Sequence, residues 1–387
     1  LLSLLTLLTS LSVACDGRGV LELSFPPDAA VGGNLPVPDA GDDAGAGGQG
    51  GGGAPQGGAA PSVVRLGLLA LPESEPAEGL AKELAALEAE ALGVRAVLVR
   101  RTFAELTTPS GAVSEAALGA LDDEVQAHTK DGRAVMLEVA LVQRLRDGRP
   151  AELALKGWDP NYLVQPYLSL LKAVVERVGA KVSVLSLGHA LDAWSEAHPD
   201  DAEGLGACAL AALGKVQALP GPRPKVGLGL RAQAFEQPAT EALAASVAAL
   251  SEVLVVSYLA GVDAVPSSPS SALQAIDALA GQKPLAFDAV GAATLGGAGL
   301  DEEQAASLLT LFFDNVKARS ARVPFVHVVQ LGDLEGVACE GLASTLGLEP
   351  TSDAASALCA TGLRGLSGEA KKTFAPVLDA LARFSKG

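Results

Sequence analysis

From residue 62 onward the chain alternates between short apolar runs and longer Ala/Leu-rich segments. Eight runs read as strands: 64–70, 94–100, 134–140, 182–188, 225–230, 253–258, 284–289 and 324–331. Each is near-continuously apolar, as strands covered on both faces are. The segments between them carry apolar residues at helical spacing, as in 77–93, 161–179, 239–250 and 301–319. The last opens on Asp301, Glu302 and Glu303, acids that suit a helix N-terminus. Eight strand–helix units predict an α/β fold, a (β/α)8 TIM barrel filling residues 62–387. An open doubly wound sheet ranks second, because eight units are what closure requires and no glycine-rich phosphate fingerprint follows the first strand.

Two segments of different character precede the barrel. Residues 1–15, LLSLLTLLTSLSVAC, form an apolar run too short to span a bilayer, which takes about 20 residues. The run matches the apolar region of a signal peptide. Its end resembles a bacterial lipoprotein signal, with Val13 and Ala14 leading into Cys15 and Ser12 where Leu is usual. That resemblance implies that Cys15 becomes the lipid-bearing first residue of an exported, cell-envelope protein anchored to a membrane. With no initiating Met or basic segment before it, the signal is expected to begin upstream of Leu1. Residues 16–61 are dominated by Gly, Ala, Pro and Asp and hold too little apolar surface to offset their ordering entropy. They read as a disordered tether, with VLELSF at 20–25 as a brief extended piece.

Charge removes one class of function. A formal charge of −17 repels phosphate backbones, so nucleic-acid binding is disfavoured. Aromatics are only 4% of residues, so flat stacking platforms are scarce. The four histidines, 128, 189, 198 and 327, are scattered and no Cys pair has ligand spacing, so neither a metal nor a cofactor is expected. Cys339 and Cys359 lie in an irregular stretch after the eighth run and can close a loop in an oxidising compartment. Cys208 reads as helix packing. Nothing in the pattern predicts an oligomer, and a monomer is expected.

The strand ends carry the candidate chemistry. The fourth closes on Gly188-His189-Ala190. The seventh begins Lys283-Pro284 and closes on Asp288-Ala289-Val290-Gly291. The eighth holds Phe325, Gln330, Leu331 and Asp333, and the tail carries Gly362-Leu363. This set resembles retaining glycoside hydrolases of the large (β/α)8 superfamily, the endo-galactanase and cellulase relatives. The resemblance implies an acid/base Glu at the place of Ala190, a second catalytic Glu at the place of Ala289, and a stacking aromatic at the place of Val328. Alanine can neither protonate a leaving oxygen nor attack an anomeric carbon. Strict alternation along a strand turns Asp288 away from Ala289, and only a one-residue bulge would bring it inward.

His189, Asp192, Tyr258, Asp288 and Asp333 are the cleft candidates. His189 and Asp192 are expected to satisfy local backbone groups. Glu138, within the third strand, is expected to pair with Arg133, Arg144 or Lys181, because an unpaired buried carboxylate is costly. Trp158 and Trp194 are expected to cap the rim. Two readings follow. One is a non-catalytic lipoprotein whose barrel binds carbohydrate or serves structurally. The other is a glycoside hydrolase on a β-linked polysaccharide with displaced carboxylates among Glu138, Asp192, Asp288 and Asp333. The discriminating feature is a pair of carboxylates lining an open cleft about 5–9.5 Å apart.

Overall fold

The computed structural model describes residues 64–69, 94–262, 268–294, 300–329, 333–363, 365–366 and 369–384. Cys15, the tether, the 20–25 segment and the helix expected at 77–93 lie outside the described residues. So do Gln330 and Leu331.

Eight parallel strands form the barrel: β1 (Arg65–Leu69), β2 (Ala96–Thr102), β3 (Ala134–Ala140), β4 (Val182–Ser186), β5, β6 (Leu254–Ala260), β7 (Leu285–Ala292) and β8 (Phe325–Val328). Strand β5 comes in two pieces, Lys225–Gly227 and Gly229–Arg231. The first pairs with β4 and the second with β6, so the ring of neighbours closes across Leu228. Glycine makes that passage possible. A Cβ at Gly227 would lie 2.0 Å from the Val253 carbonyl oxygen, and one at Gly229 would lie 2.3 Å from that of Gly188.

Among the described residues, and apart from the single turn Ala151–Ala154, the α-helices are α1 (Glu115–Lys130), α2 (Pro160–Val178), α3 (Leu191–Ala197), α4 (Ala202–Gln217), α5 (Glu241–Leu250), α6 (Pro269–Ala280), α7 (Glu302–Ala318), α8 (Gly336–Thr345), α9 (Asp353–Cys359) and α10 (Phe374–Phe384). Their starts follow side-chain chemistry. Ser114 caps α1 and Asp159 caps α2 ahead of Pro160, while Asp301 and Gln304 form a capping box on α7. Among the described residues no helix is long and apolar enough to cross a membrane.

Side-chain alternation divides the core in two. Val97, Val99, Leu137, Leu185, Val256, Phe287 and Val326 face outward and pack under the helices. Ala96, Leu98, Met136, Val184, Val255, Ala286 and Phe325 fill the barrel interior. Strand β7 breaks the alternation. Its pairing with β6 steps from Phe287–Val256 to Ala289–Ser257, skipping Asp288, and its pairing with β8 steps from Phe287–Val326 to Val290–Val328. One extra residue is therefore accommodated at 288. Ala286 and Ala289 both belong to the interior while Phe287 and Val290 belong to the outer layer, so Asp288 and Ala289 both lie on the inner face. The bulge that strict alternation argued against is present.

The C-terminal end of the barrel is covered by the chain itself. Leu342, Ala343 and Leu346 from α8 and its end, with Leu348 and the α9 residues Ala355, Ala357 and Leu358, form one apolar cluster with the interior residues Leu259, Ala289, Ala293 and Val329. Cys339 and Cys359 are disulfide-bonded, with Cα atoms 5.5 Å apart, and tie α8 to α9. A hairpin after β3, Val142–Gln143 against Arg146–Asp147, lies beside this cover. Leu145 N–H donates to the Leu346 carbonyl at 2.9 Å. Gly347, at φ +68°, is pressed so close that a Cβ would sit 2.2 Å from the Leu145 carbonyl carbon.

Candidate functional site

Four strands send charged or polar groups to one point under this cover. Arg100 of β2 donates from Nε to Glu138 Oε2 of β3 at 3.0 Å, and its Nη2 lies 3.8 Å from Asp288 Oδ2 of β7. His189, just past β4, contacts Asp288 Oδ2 through Nδ1 at 2.6 Å. Gln143 of the hairpin donates to Glu138 Oε1 at 3.2 Å. Glu138, His189 and Asp288 are fully buried and Gln143 nearly so. The strand ends thus hold an ionic network with no solvent path to its carboxylates in this conformation.

The proton arrangement follows from the distances. A 2.6 Å contact between Nδ1 and a carboxylate oxygen requires a proton between them, so Nδ1–H donates to Asp288. The 3.4 Å approach of Arg100 Nη2 to the same nitrogen then sets donor beside donor and is no hydrogen bond. Burial alone would raise the Asp288 carboxyl. The charge and hydrogen bond of His189, with Arg100 and His327 adding to them, outweigh burial and hold it below the usual carboxylate value. His327 of β8 sits deeper, its Nδ1 donating to the Phe287 carbonyl at 3.2 Å. Burial pushes its pKa down to about 4, so it is neutral near pH 7. Gly67 leaves room for that ring, since a Cβ there would lie 2.3 Å from His327 Cδ2.

One of the four scattered histidines does fall beside two carboxylates. Donor atoms of Glu138, His189 and Asp288 all lie within 4.8 Å of one another, a grouping able to hold a cation. Arg100 already supplies positive charge there and contacts both carboxylates, so a metal would have to displace a guanidinium that bonds directly to Glu138.

His189 was expected to serve only local backbone. Its main chain pairs with the hairpin, accepting from Arg144 N–H at 2.8 Å and donating its own N–H to the Val142 carbonyl at 3.2 Å, but these bonds do not involve the side chain. Its ring, however, reaches across the barrel to Asp288. Glu138 pairs, as expected, but with Arg100; Arg133 and Lys181 instead contact Asp131 and Asp122. Arg100 is the residue that sequence reasoning missed. Its signal was present, an arginine at an inward position in an apolar strand.

The other candidates lie elsewhere. Asp192 is buried in the first turn of α3 and binds Arg231 at 2.6 Å, tying that helix to β5. Tyr258 points outward from β6 and stacks on Phe312 of α7 at 5.2 Å, so it is not a cleft residue. Asp333 takes Lys371 Nζ at 2.6 Å and the Gly362 N–H at 3.0 Å, fastening the tail. Burial raises its carboxyl even against that pairing. Trp158 and Trp194 meet edge-on at 5.9 Å within the outer core, with Arg149 over Trp158 at 3.7 Å. Cys208 is buried in α4.

Ala190 and Ala289, at the places where the resemblance puts catalytic carboxylates, are both buried. Ala190 adopts a left-handed backbone, φ 51° and ψ 50°, unusual for a residue with a Cβ. An open depression of about 310 Å³ is lined by Arg144, Leu145, Ala193, Glu196, Ala197 and Arg231.

No family model and no curated protein matches the chain. Solved structures do. A GH5_18 protein from Bifidobacterium longum subsp. longum ATCC 55813 superposes with a TM-score of 0.62 at 14% identity, over 84% of this chain and 80% of that one. A Streptomyces cattleya GH5_18 variant, solved with Manb1-4GlcNAc, gives 0.58 at 17%, over 83% and 81%. A GH10 endoxylanase from a sugarcane soil metagenome gives 0.58 at 13%, over 82% and 97%. At such identities the likeness establishes the fold alone, a (β/α)8 barrel that these glycoside hydrolases share.

Proposed function

We propose that this chain is an exported lipoprotein, held at the cell envelope through Cys15, whose glycosidase-like barrel has lost hydrolysis and works as a carbohydrate-binding or structural module. One observation carries the reading. The space at the strand ends is filled by the Leu342–Leu358 cover, whose apolar residues continue the barrel interior. A retaining glycosidase needs two carboxyl groups reaching a sugar from opposite sides. Here Ala190 and Ala289 occupy those places, and the nearest carboxylates, Glu138 and Asp288, are buried and engaged by Arg100, Gln143 and His189. The depression beside Arg144, Glu196 and Arg231 offers hydrogen-bonding groups for a sugar.

The supporting experiment screens purified protein for turnover of β-linked galactans, glucans and mannans, alongside a glycan array. Binding without turnover fits the reading, and turnover by the unmodified protein sinks it. Lipidation is tested separately: radiolabelled palmitate should be incorporated by the native chain and lost in Cys15→Ala.

One observation favours the second reading. Glu138 and Asp288 bring carboxylate oxygens within 4.8 Å, near the spacing of about 5–5.5 Å used by retaining enzymes. Hydrolysis by that pair would require the cover to move. Glu138→Gln and Asp288→Asn variants assayed in the same screen would then lose any turnover found.

A further inference from the structure

The cover and the charged cluster are joined by a continuous chain of contacts that ends at the disulfide. Leu346 and Gly347 lie within the twenty-residue loop that Cys339 and Cys359 close. Leu346 holds Leu145 of the hairpin through its carbonyl, and Gly347 packs against the Leu145–Arg146 peptide. Two residues back along the hairpin, Gln143 holds Glu138, and the hairpin backbone exchanges two hydrogen bonds with His189. On the other side Thr361, just past α9, lies over Gly291 of β7, where a Cβ would meet it at 3.3 Å. Cys359 is buried, whereas Cys339 is partly exposed, so Cys339 is the half of the bridge nearer solvent.

We infer that the Cys339–Cys359 disulfide is a redox lock on the cover, and that reducing it frees the hairpin and opens the Glu138–His189–Asp288 cluster to solvent. The reductant is a dithiol. Its thiolate attacks Cys339 Sγ and Cys359 leaves as a thiolate; the reductant's second thiol then attacks the reductant sulfur of the mixed disulfide, and Cys339 leaves as the second thiolate. Two electrons and two protons end on Cys339 and Cys359, and the reductant leaves as its own disulfide. Loss of the cross-link restores conformational freedom to the loop that carries Leu346, which weakens its hold on the hairpin. The floor then exposed carries two carboxylates, an imidazole, a guanidinium and a carboxamide, a set suited to a hydroxyl-rich ligand. The inference rests on the reading of a covered barrel, but its test needs no ligand.

Hydrogen exchange resolved by mass spectrometry is compared before and after dithiothreitol, with released thiols alkylated. The expected result is at least a roughly tenfold rise in exchange at 142–146 and 189, with β2 and β3 unchanged. Diethyl pyrocarbonate should modify His189 only after reduction. A Cys339→Ser/Cys359→Ser variant should match the reduced native protein; should it fail to fold, the native comparison decides alone. Unchanged protection of the hairpin on reduction overturns the inference. So does its loss together with β2 and β3, because the disulfide would then support the whole barrel rather than lock its cover.

Discussion

At residue 288 an extra position in a strand decides the chemistry of the barrel mouth. The bulge puts Asp288 and Ala289 on the same face, so an aspartate reaches His189 and Arg100 while its neighbour presents only a methyl group. The network has the properties of a buried ion cluster: removing one partner leaves the others charged and dry. Arg100→Met should therefore destabilise the fold by about 3–5 kcal/mol, read as a lowered urea midpoint. His327 adds a pH dependence with a definite sign. Its folded pKa is about 4, below the ordinary value of 6.5, so the unfolded chain binds the proton more readily. Its contribution to stability is complete above pH 6.5 and is lost as pH falls towards 4. The loss amounts to roughly 3 kcal/mol. The depressed Asp288 carboxyl acts in the same direction at lower pH, its contribution being present above the unfolded carboxylate value and lost as pH falls through the folded one. Urea midpoints measured from pH 7 to pH 4 should fall steadily, and His327→Gln should flatten the upper part of that slope. Arg100 and the His189–Asp288 contact were hard to read from sequence because they join strands 2, 4 and 7, which no local pattern relates. The outward position of Tyr258 was readable: with Val253, Val255 and Leu259 facing inward, parity places it under the helices.

At the scale of elements, glycines set how closely the pieces approach. Gly347→Ala would have to move the cover off the hairpin and would also place a Cβ at a left-handed position. A loss of about 1–3 kcal/mol is expected, together with faster exchange at Leu145. Gly67→Ala collides with His327 and the Ala96 carbonyl inside the barrel. It should cost a similar amount, visible as a lower Tm with no change at the hairpin. The strands themselves were legible. Their continuous apolar runs placed all eight, β3 to the residue, because burial on both faces leaves little room for polar positions. The break in β5 was not, since Gly227 and Gly229 act through contacts with Val253 and Gly188 that only the closed ring creates. The cover appeared in the sequence only as an irregular stretch. Its helices are short and their apolar residues find partners in distant strand ends.

Across the whole molecule, the barrel shares its fold with solved glycoside hydrolases and fills the C-terminal end of its strands with its own chain. The pairs Asp192–Arg231 and Asp333–Lys371 hold α3 and the tail to the rest of the barrel. At the mouth, Leu346 and Leu358 lie in one cluster with Ala289 and Val329. A retaining mechanism would leave a trace that does not depend on finding the natural substrate: a glycosyl ester on the nucleophilic carboxylate. The protein should be incubated with activated 2-deoxy-2-fluoro glycosides of glucose, mannose and galactose and its intact mass recorded. The expected result is an unshifted mass with each reagent; a single glycosyl adduct mapped to Asp288 or Glu138 would contradict the account.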